Sequence, residues 1–81
     1  MKARIIWAPS VRDVASELPT ETQEIILEKL DLLETFPRLY QVCEKGRFRR
    51  CRRFVAEDWV VYYRVIGNTV YVRGLWPARI P

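Results

Sequence analysis

Histidine is absent from this chain of 81 residues, and cysteine occurs only as Cys43 and Cys51. Without an imidazole there is no side chain whose ordinary titration falls near neutral pH. A nucleophilic Cys51 would therefore lack a histidine base, although the surrounding arginines favour a thiolate there. Two cysteines with seven residues between them form no disulfide framework, and they supply too few ligands for zinc. Both are expected to be reduced structural thiols, and neither a metal nor a cofactor is expected. No apolar run approaches the roughly 20 residues that cross a bilayer. The opening "MKARIIWAPS" has no long apolar stretch of the signal-peptide kind. The expectation is a soluble, cytoplasmic protein with no membrane partner. Internal repeats and low-complexity tracts are also missing.

Apolar residues make up 49% of the chain and charged residues 30%, a globular composition. The length suits a single domain over residues 1–81 with one modest core. The formal net charge is +4, which draws such a chain toward nucleic acid, an anionic surface or an acidic protein. The charge is unevenly placed. Residues 17–34 hold Glu17, Glu21, Glu24, Glu28, Asp31 and Glu34, whereas "GRFRRCRRF" at 46–54 holds five arginines. An acidic helical side and a basic sheet side are predicted.

Residues 3–8, "ARIIWA", read as a short strand broken by Pro9 and Ser10. Ser10 is placed as an N-cap, with Asp13 favouring the positive helix end. Val11, Val14, Ala15 and Leu18 then recur with the spacing of a helix that buries one face. Pro19 ends that helix. Thr20 opens a second one with Gln23 at capping-box spacing. Ile26, Leu30 and Leu33 form its apolar stripe, widened by Ile25, Leu27 and Phe36, and Pro37 stops it. After the loop "RLYQVCEKG" three extended segments follow, at 47–55, 59–66 and 69–76, with a tight turn at Gly67-Asn68. The predicted class is α+β: β-α-α-β-β-β, a small twisted antiparallel sheet with an N-terminal helical hairpin packed on one face. The last three strands form an antiparallel meander, and the first pairs with one of them.

Read as a strand, the arginine segment conflicts with packing. Alternation puts Arg47, Arg49, Cys51 and Arg53 on one face and Phe48, Arg50, Arg52 and Phe54 on the other. Both faces carry arginine, yet one must cover the helices. Either the strand is bulged or it is an edge strand with long stems reaching past the core. Arginine suits phosphate, because its planar fork makes paired charge-assisted hydrogen bonds. Tyr62, Tyr63, Tyr71, Arg64 and Arg73 on the neighbouring strands add rings and charge of the kind that stacks bases and holds phosphates. The plainer alternative is an edge strand charged against aggregation.

The element order, the end of the hairpin at "LLETFP", the hairpin "WVVYYRVIGNTVYV" and the tail "LWPARIP" resemble the RelE/ParE superfamily of toxins from type II toxin-antitoxin systems. The resemblance covers nearly the whole chain. It implies a cognate antitoxin that wraps the toxin and covers its basic surface. It leaves two targets open. RelE-like members enter the ribosome and cut mRNA through the RNA's own 2′-OH, whereas ParE-like members inhibit DNA gyrase and are not nucleases.

Carried over residue by residue, the resemblance sets Arg47, Arg49, Arg50, Arg52 and Arg53 where the RelE-like branch has lysines and arginines. Arg64 falls on the central hairpin strand, Arg73 on the last strand, and Arg79 on the tail arginine. Arg49, Arg52, Arg64 and Arg73 are assigned the catalytic work. Arg47, Arg50, Arg53, Tyr63, Tyr71 and Arg79 are assigned contact with RNA. Two departures weigh on this. No histidine stands in "GLWPARIP", and the chain ends Ile80-Pro81 without a terminal tyrosine, so the general base has no assignment. Glu57 and Asp58 read as turn residues. Trp76 is suited either to stacking a base or to packing on the sheet. The tail itself is similar to ParE-like tails, which favours gyrase, while the density of arginine favours RNA. A ribosome-dependent endoribonuclease is the preferred expectation, with a gyrase inhibitor and a non-toxic nucleic-acid-binding module as alternatives.

Overall fold

The computed structural model describes residues 2–78. Its elements are β1 (Arg4–Trp7), α1 (Pro9–Ser16), α2 (Thr20–Thr35), β2 (Arg52–Ala56), β3 (Trp59–Ile66) and β4 (Thr69–Pro77). The sheet order is β1-β4-β3-β2. Strands β2, β3 and β4 form the expected antiparallel meander. β1 pairs with β4 in parallel, so the sheet is mixed. Parallel neighbours need a crossover, and the helical hairpin between β1 and the meander supplies it.

Both helices start differently from the capping pattern in the sequence. Ala8, not Ser10, is the N-cap of α1, and Pro9 fills the first helical position. Its fixed φ and missing N–H are harmless there. Pro19, not Thr20, precedes α2. Gln23 makes no capping box; its Nε2 donates to the carbonyls of Ser16 and Leu18 at 3.1 and 2.7 Å, and so closes the end of α1. Ile26, Leu30 and Leu33 are buried as the stripe predicts, but Val14 and Leu27 are exposed, and Phe36 is 58% exposed. The hairpin covers one face only. From the sheet that face offers Phe54, Ala56, Val61, Tyr63, Val70, Val72 and Leu75.

The expected strand over 47–55 is the main correction. Only Arg52–Ala56 is strand, and Arg47–Arg50 is turn. Gly46 and Arg50 have φ of +87° and +73°, which breaks the extended backbone on both sides of the run. Arg49 N donates to Gly46 O at 3.2 Å and Cys51 N to Phe48 O at 3.0 Å. Below the turn, Arg50 N donates to Cys43 O and Cys43 N to Cys51 O, at 2.9 and 2.7 Å. Two residues thus face one across this short ladder, a bulge. The bridge of Val42 to Arg52 and the bond from Arg53 N to Gln41 O carry the 41–43 segment along the outer side of β2. The conflict in the arginine pattern therefore resolves as a bulged turn followed by a partly covered edge strand.

Two tight turns finish the meander. Gly67 takes φ +59° between β3 and β4, which glycine accepts freely. Asn68 of that turn donates from Nδ2 to Lys2 O at 3.1 Å and accepts from Arg4 N at 3.0 Å, so it also starts β1. Glu57 and Asp58 form the turn between β2 and β3, with Ala56 paired to Trp59.

Candidate functional site

The sheet face turned away from the helices is set by strand alternation. Tyr63 and Val61 point into the core, so Tyr62 and Arg64 point the other way, as does Tyr71, the register partner of Arg64. The register between β3 and β4 shifts at Tyr62/Tyr63, which pair with Gly74 and Val72 and leave Arg73 as the extra residue. This bulge turns Arg73 out to solvent, with its guanidinium carbon 5.7 Å from the centre of the Tyr71 ring.

The turn at 46–50 folds over this same face. It brings Arg47 and Arg49 to Arg64, Arg73 and Tyr71 around one depression of about 570 Å³. Four arginines from three chain segments thus line one depression, a basic surface with several donor forks. Cys51 lines the floor. Burial pushes its thiol pKa up, against the opposing pull of Arg73 and Arg64. Desolvation outweighs the arginines, so the thiolate that the basic sequence favours is not what the fold produces.

A second depression of about 730 Å³ adjoins the first and shares Arg47 and Phe48 with it. Arg53, Lys45, Tyr62 and Trp76 also line it. Phe48 stacks on Tyr62 with ring centres 4.2 Å apart and planes 12° from parallel. Arg47 lies over Trp76 and Phe48, at 5.4 and 5.8 Å from their ring centres. These are cation–π distances.

Three of the predicted site residues lie elsewhere. Tyr63, expected to meet RNA, is 0% exposed and packs against Phe54 at 6.2 Å between ring centres. It sits on the helix-facing side, where the alternation that exposes Tyr62 must place it. Its hydroxyl is buried near the backbone of Tyr40 without a well-formed hydrogen bond among the described residues, and burial pushes its pKa up to about 12. Arg52 pairs with Tyr63 and points the same way. Its Nη1 donates to the carbonyls of Tyr40 and Arg38 at 2.6 and 3.2 Å. That guanidinium is committed to backbone, away from the four-arginine depression. Arg50 is exposed at the bulge. Arg79 lies outside the described residues.

Tyr62 and Trp76 are rings the sequence already suited to stacking; what it did not show is their grouping with Phe48 and the role of Gly74 beneath that ring. A Cβ on Gly74 would come within 2.5 Å of the Phe48 ring, so the strand needs glycine there. A glycine inside a strand pattern is the signal that pointed to such a close approach.

The sequence matches the family model described as "ParE toxin of type II toxin-antitoxin system, parDE" over residues 5–80. No curated protein matches it significantly. Among solved structures, the fold is similar to that of the archaeal RelE-RelB complex from Pyrococcus horikoshii, with TM-score 0.80 and 22% identity over 96% of this chain and 97% of that one. The isolated E. coli RelE toxin gives TM-score 0.82 and 15% identity over 98% and 87%. The toxin-antitoxin complex RelBE2 from Mycobacterium tuberculosis gives 0.78 and 14% over 95% and 99%.

Proposed function

Because the chain belongs to the ParE toxin family of type II toxin-antitoxin systems, within the RelE/ParE superfamily, we propose that it is the toxin partner that binds mRNA on the ribosome and cuts it, halting translation. The observation that supports this reading is the convergence of Arg47, Arg49, Arg64 and Arg73 with Tyr71 in one depression on the helix-free face.

The chemistry asks little of the protein beyond charge and position. The 2′-oxygen of the RNA attacks the adjacent phosphorus, the bond to the 5′-oxygen breaks, and the 2′ proton ends on that leaving oxygen. A cyclic phosphate and a free 5′-OH result. Negative charge builds on the non-bridging oxygens in between, and positioned guanidinium groups stabilise it. Holding the 2′-OH in line supplies the rest. Arginine carries its proton at any physiological pH and is a poor acid or base. The Tyr71 hydroxyl is the O–H group of the cluster suited to proton transfer. Arg52 acts here by holding the segment around Tyr40, and not on the phosphate.

The expected partner is an antitoxin with an acidic segment that meets the basic face with complementary potential. No helix among the described residues is long and apolar enough to cross a membrane. A second reading, inhibition of DNA gyrase without nuclease activity, is favoured by the ParE description of the matching family model.

Induction without antitoxin, followed by pulse labelling with methionine and thymidine, separates the two. Loss of methionine incorporation within minutes, with new 5′ ends in mRNA, is the expected result. Early loss of thymidine incorporation with intact mRNA overturns the nuclease reading in favour of gyrase. Unimpaired incorporation of both excludes both.

A further inference from the structure

The second depression has a different character from the first. Its centre is a set of rings: Phe48 parallel to Tyr62, and Trp76 tilted by 57° with its ring centre 6.5 Å from that of Phe48. The set is preorganised by the sheet, because Gly74 leaves the space in which the Phe48 ring rests. A cluster whose task was to shield the sheet would be buried. Trp76 instead remains 45% exposed, and Phe48 and Tyr62 are only partly covered. The surrounding side chains include Lys45, Arg47 and Arg53, cations that suit a polyanion. Arg47 stands at the boundary, lining both depressions.

We infer that this second depression is a base-stacking subsite, in which Trp76 and the Phe48–Tyr62 pair receive an unpaired nucleobase of single-stranded RNA while Arg47 and the first depression hold the phosphate beside it. The inference rests on the nucleic-acid reading above and deepens it. Flat rings accept any base through its π face, and cations beside them track the backbone, so the two depressions together suit a strand and not a lone phosphate.

The test uses the full chain, purified, with two probes: a fluorescently labelled single-stranded RNA hexamer and inorganic polyphosphate, which has charge but no bases. Trp76→Ala should weaken RNA binding about 5- to 100-fold and leave polyphosphate binding unchanged. It should also leave the slope of log affinity against log salt unchanged, because no phosphate contact is removed. Trp76→Phe should recover most of the RNA affinity. Thermal melts of both variants check that the fold is kept. Equal losses for the two probes, or no loss for RNA, overturn the subsite and leave the aromatic group to a protein partner. If the unaltered protein binds polyphosphate but RNA no better, the subsite fails and the phosphate reading stands. If it binds neither, the subsite fails, and the ribosomal reading stands or falls by the pulse labelling.

Discussion

Phe48 rests on Gly74 so closely that a Cβ at position 74 would lie 2.5 Å from the Phe48 Cζ. This contact joins the 46–50 turn to the middle of β4, and it fixes where Arg47 and Arg49 stand relative to Arg64 and Arg73. Gly74→Ala should push the ring off Tyr62 at a cost of about 1–3 kcal/mol, the usual range for overpacking. A double-mutant cycle on thermal stability checks the cause. A Phe48→Ala background removes the three atoms nearest the added methyl, so most of the Gly74→Ala cost should disappear. An undiminished cost would place the strain elsewhere in β4.

Arg52 and Arg64 stand on paired neighbouring strands but do different work. Arg52 donates to two carbonyls of the segment after α2, and truncating it removes the donor to the partly buried Tyr40 carbonyl as well as to the exposed Arg38 carbonyl. Arg52→Ala should therefore lower stability by about 1–3 kcal/mol. Arg64→Ala and Arg73→Ala should change the melting temperature little and reduce the salt dependence of RNA binding by about one ion each. Urea titration beside a salt series separates the two classes. A stable Arg52→Ala with weakened phosphate binding would return Arg52 to the site.

The parts of the fold that were legible are those fixed by local pattern. The β-branched and aromatic run at Trp59–Ile66 and the Gly67 turn needed no tertiary information. The Ile26, Leu30 and Leu33 stripe is periodic enough to name its own buried face. The arginine turn was not legible, because the residue that breaks the strand is Arg50 at φ +73°, a position where sequence usually signals with glycine or asparagine. Nor was the direction of Tyr63 against Tyr62, which depends on register with β2 and β4. The residues that form the four-arginine depression could be named individually, but Arg47 and Arg49 reach it through a turn held by Phe48 on Gly74, a contact between residues far apart in the chain. The separation of Arg52 from that depression was not legible for a related reason: alternation within one strand says which residues share a face, not which face the helices cover.

Arg50 and Glu57 carry left-handed backbone at φ +73° and +53°, and neither is glycine. A side chain in that region costs on the order of 1 kcal/mol. Arg50→Gly and Glu57→Gly should each raise stability by a few tenths to about 1 kcal/mol, a gain of up to several degrees in melting temperature for a domain of this size. The two differ in function. Arg50→Gly removes a cation near the basic face and should weaken RNA binding slightly, whereas Glu57→Gly should leave it unchanged. A drop in melting temperature for Arg50→Gly would mean that its side chain contributes more than its backbone costs.

Tyr63 makes stability fall in alkali. Its pKa is near 10 in the unfolded chain and is pushed up to about 12 in the fold by burial. Between those values the unfolded chain has lost the proton and the native protein keeps it. The unfolded state then binds fewer protons, so stability declines as pH rises. The contribution is fully present below pH 10 and is lost as pH climbs to about 12, with a size of about 2–3 kcal/mol. Tyr63→Phe removes the buried hydroxyl, which has no well-formed hydrogen bond to lose among the described residues. The variant should match or exceed the native protein in stability at pH 7, and exceed it clearly at pH 11. Urea unfolding at the two pH values measures this directly. A Tyr63→Phe variant that is less stable at pH 7 would show that the hydroxyl does find a partner, and an unchanged difference between pH 7 and 11 would show that Tyr63 does not drive the alkaline loss.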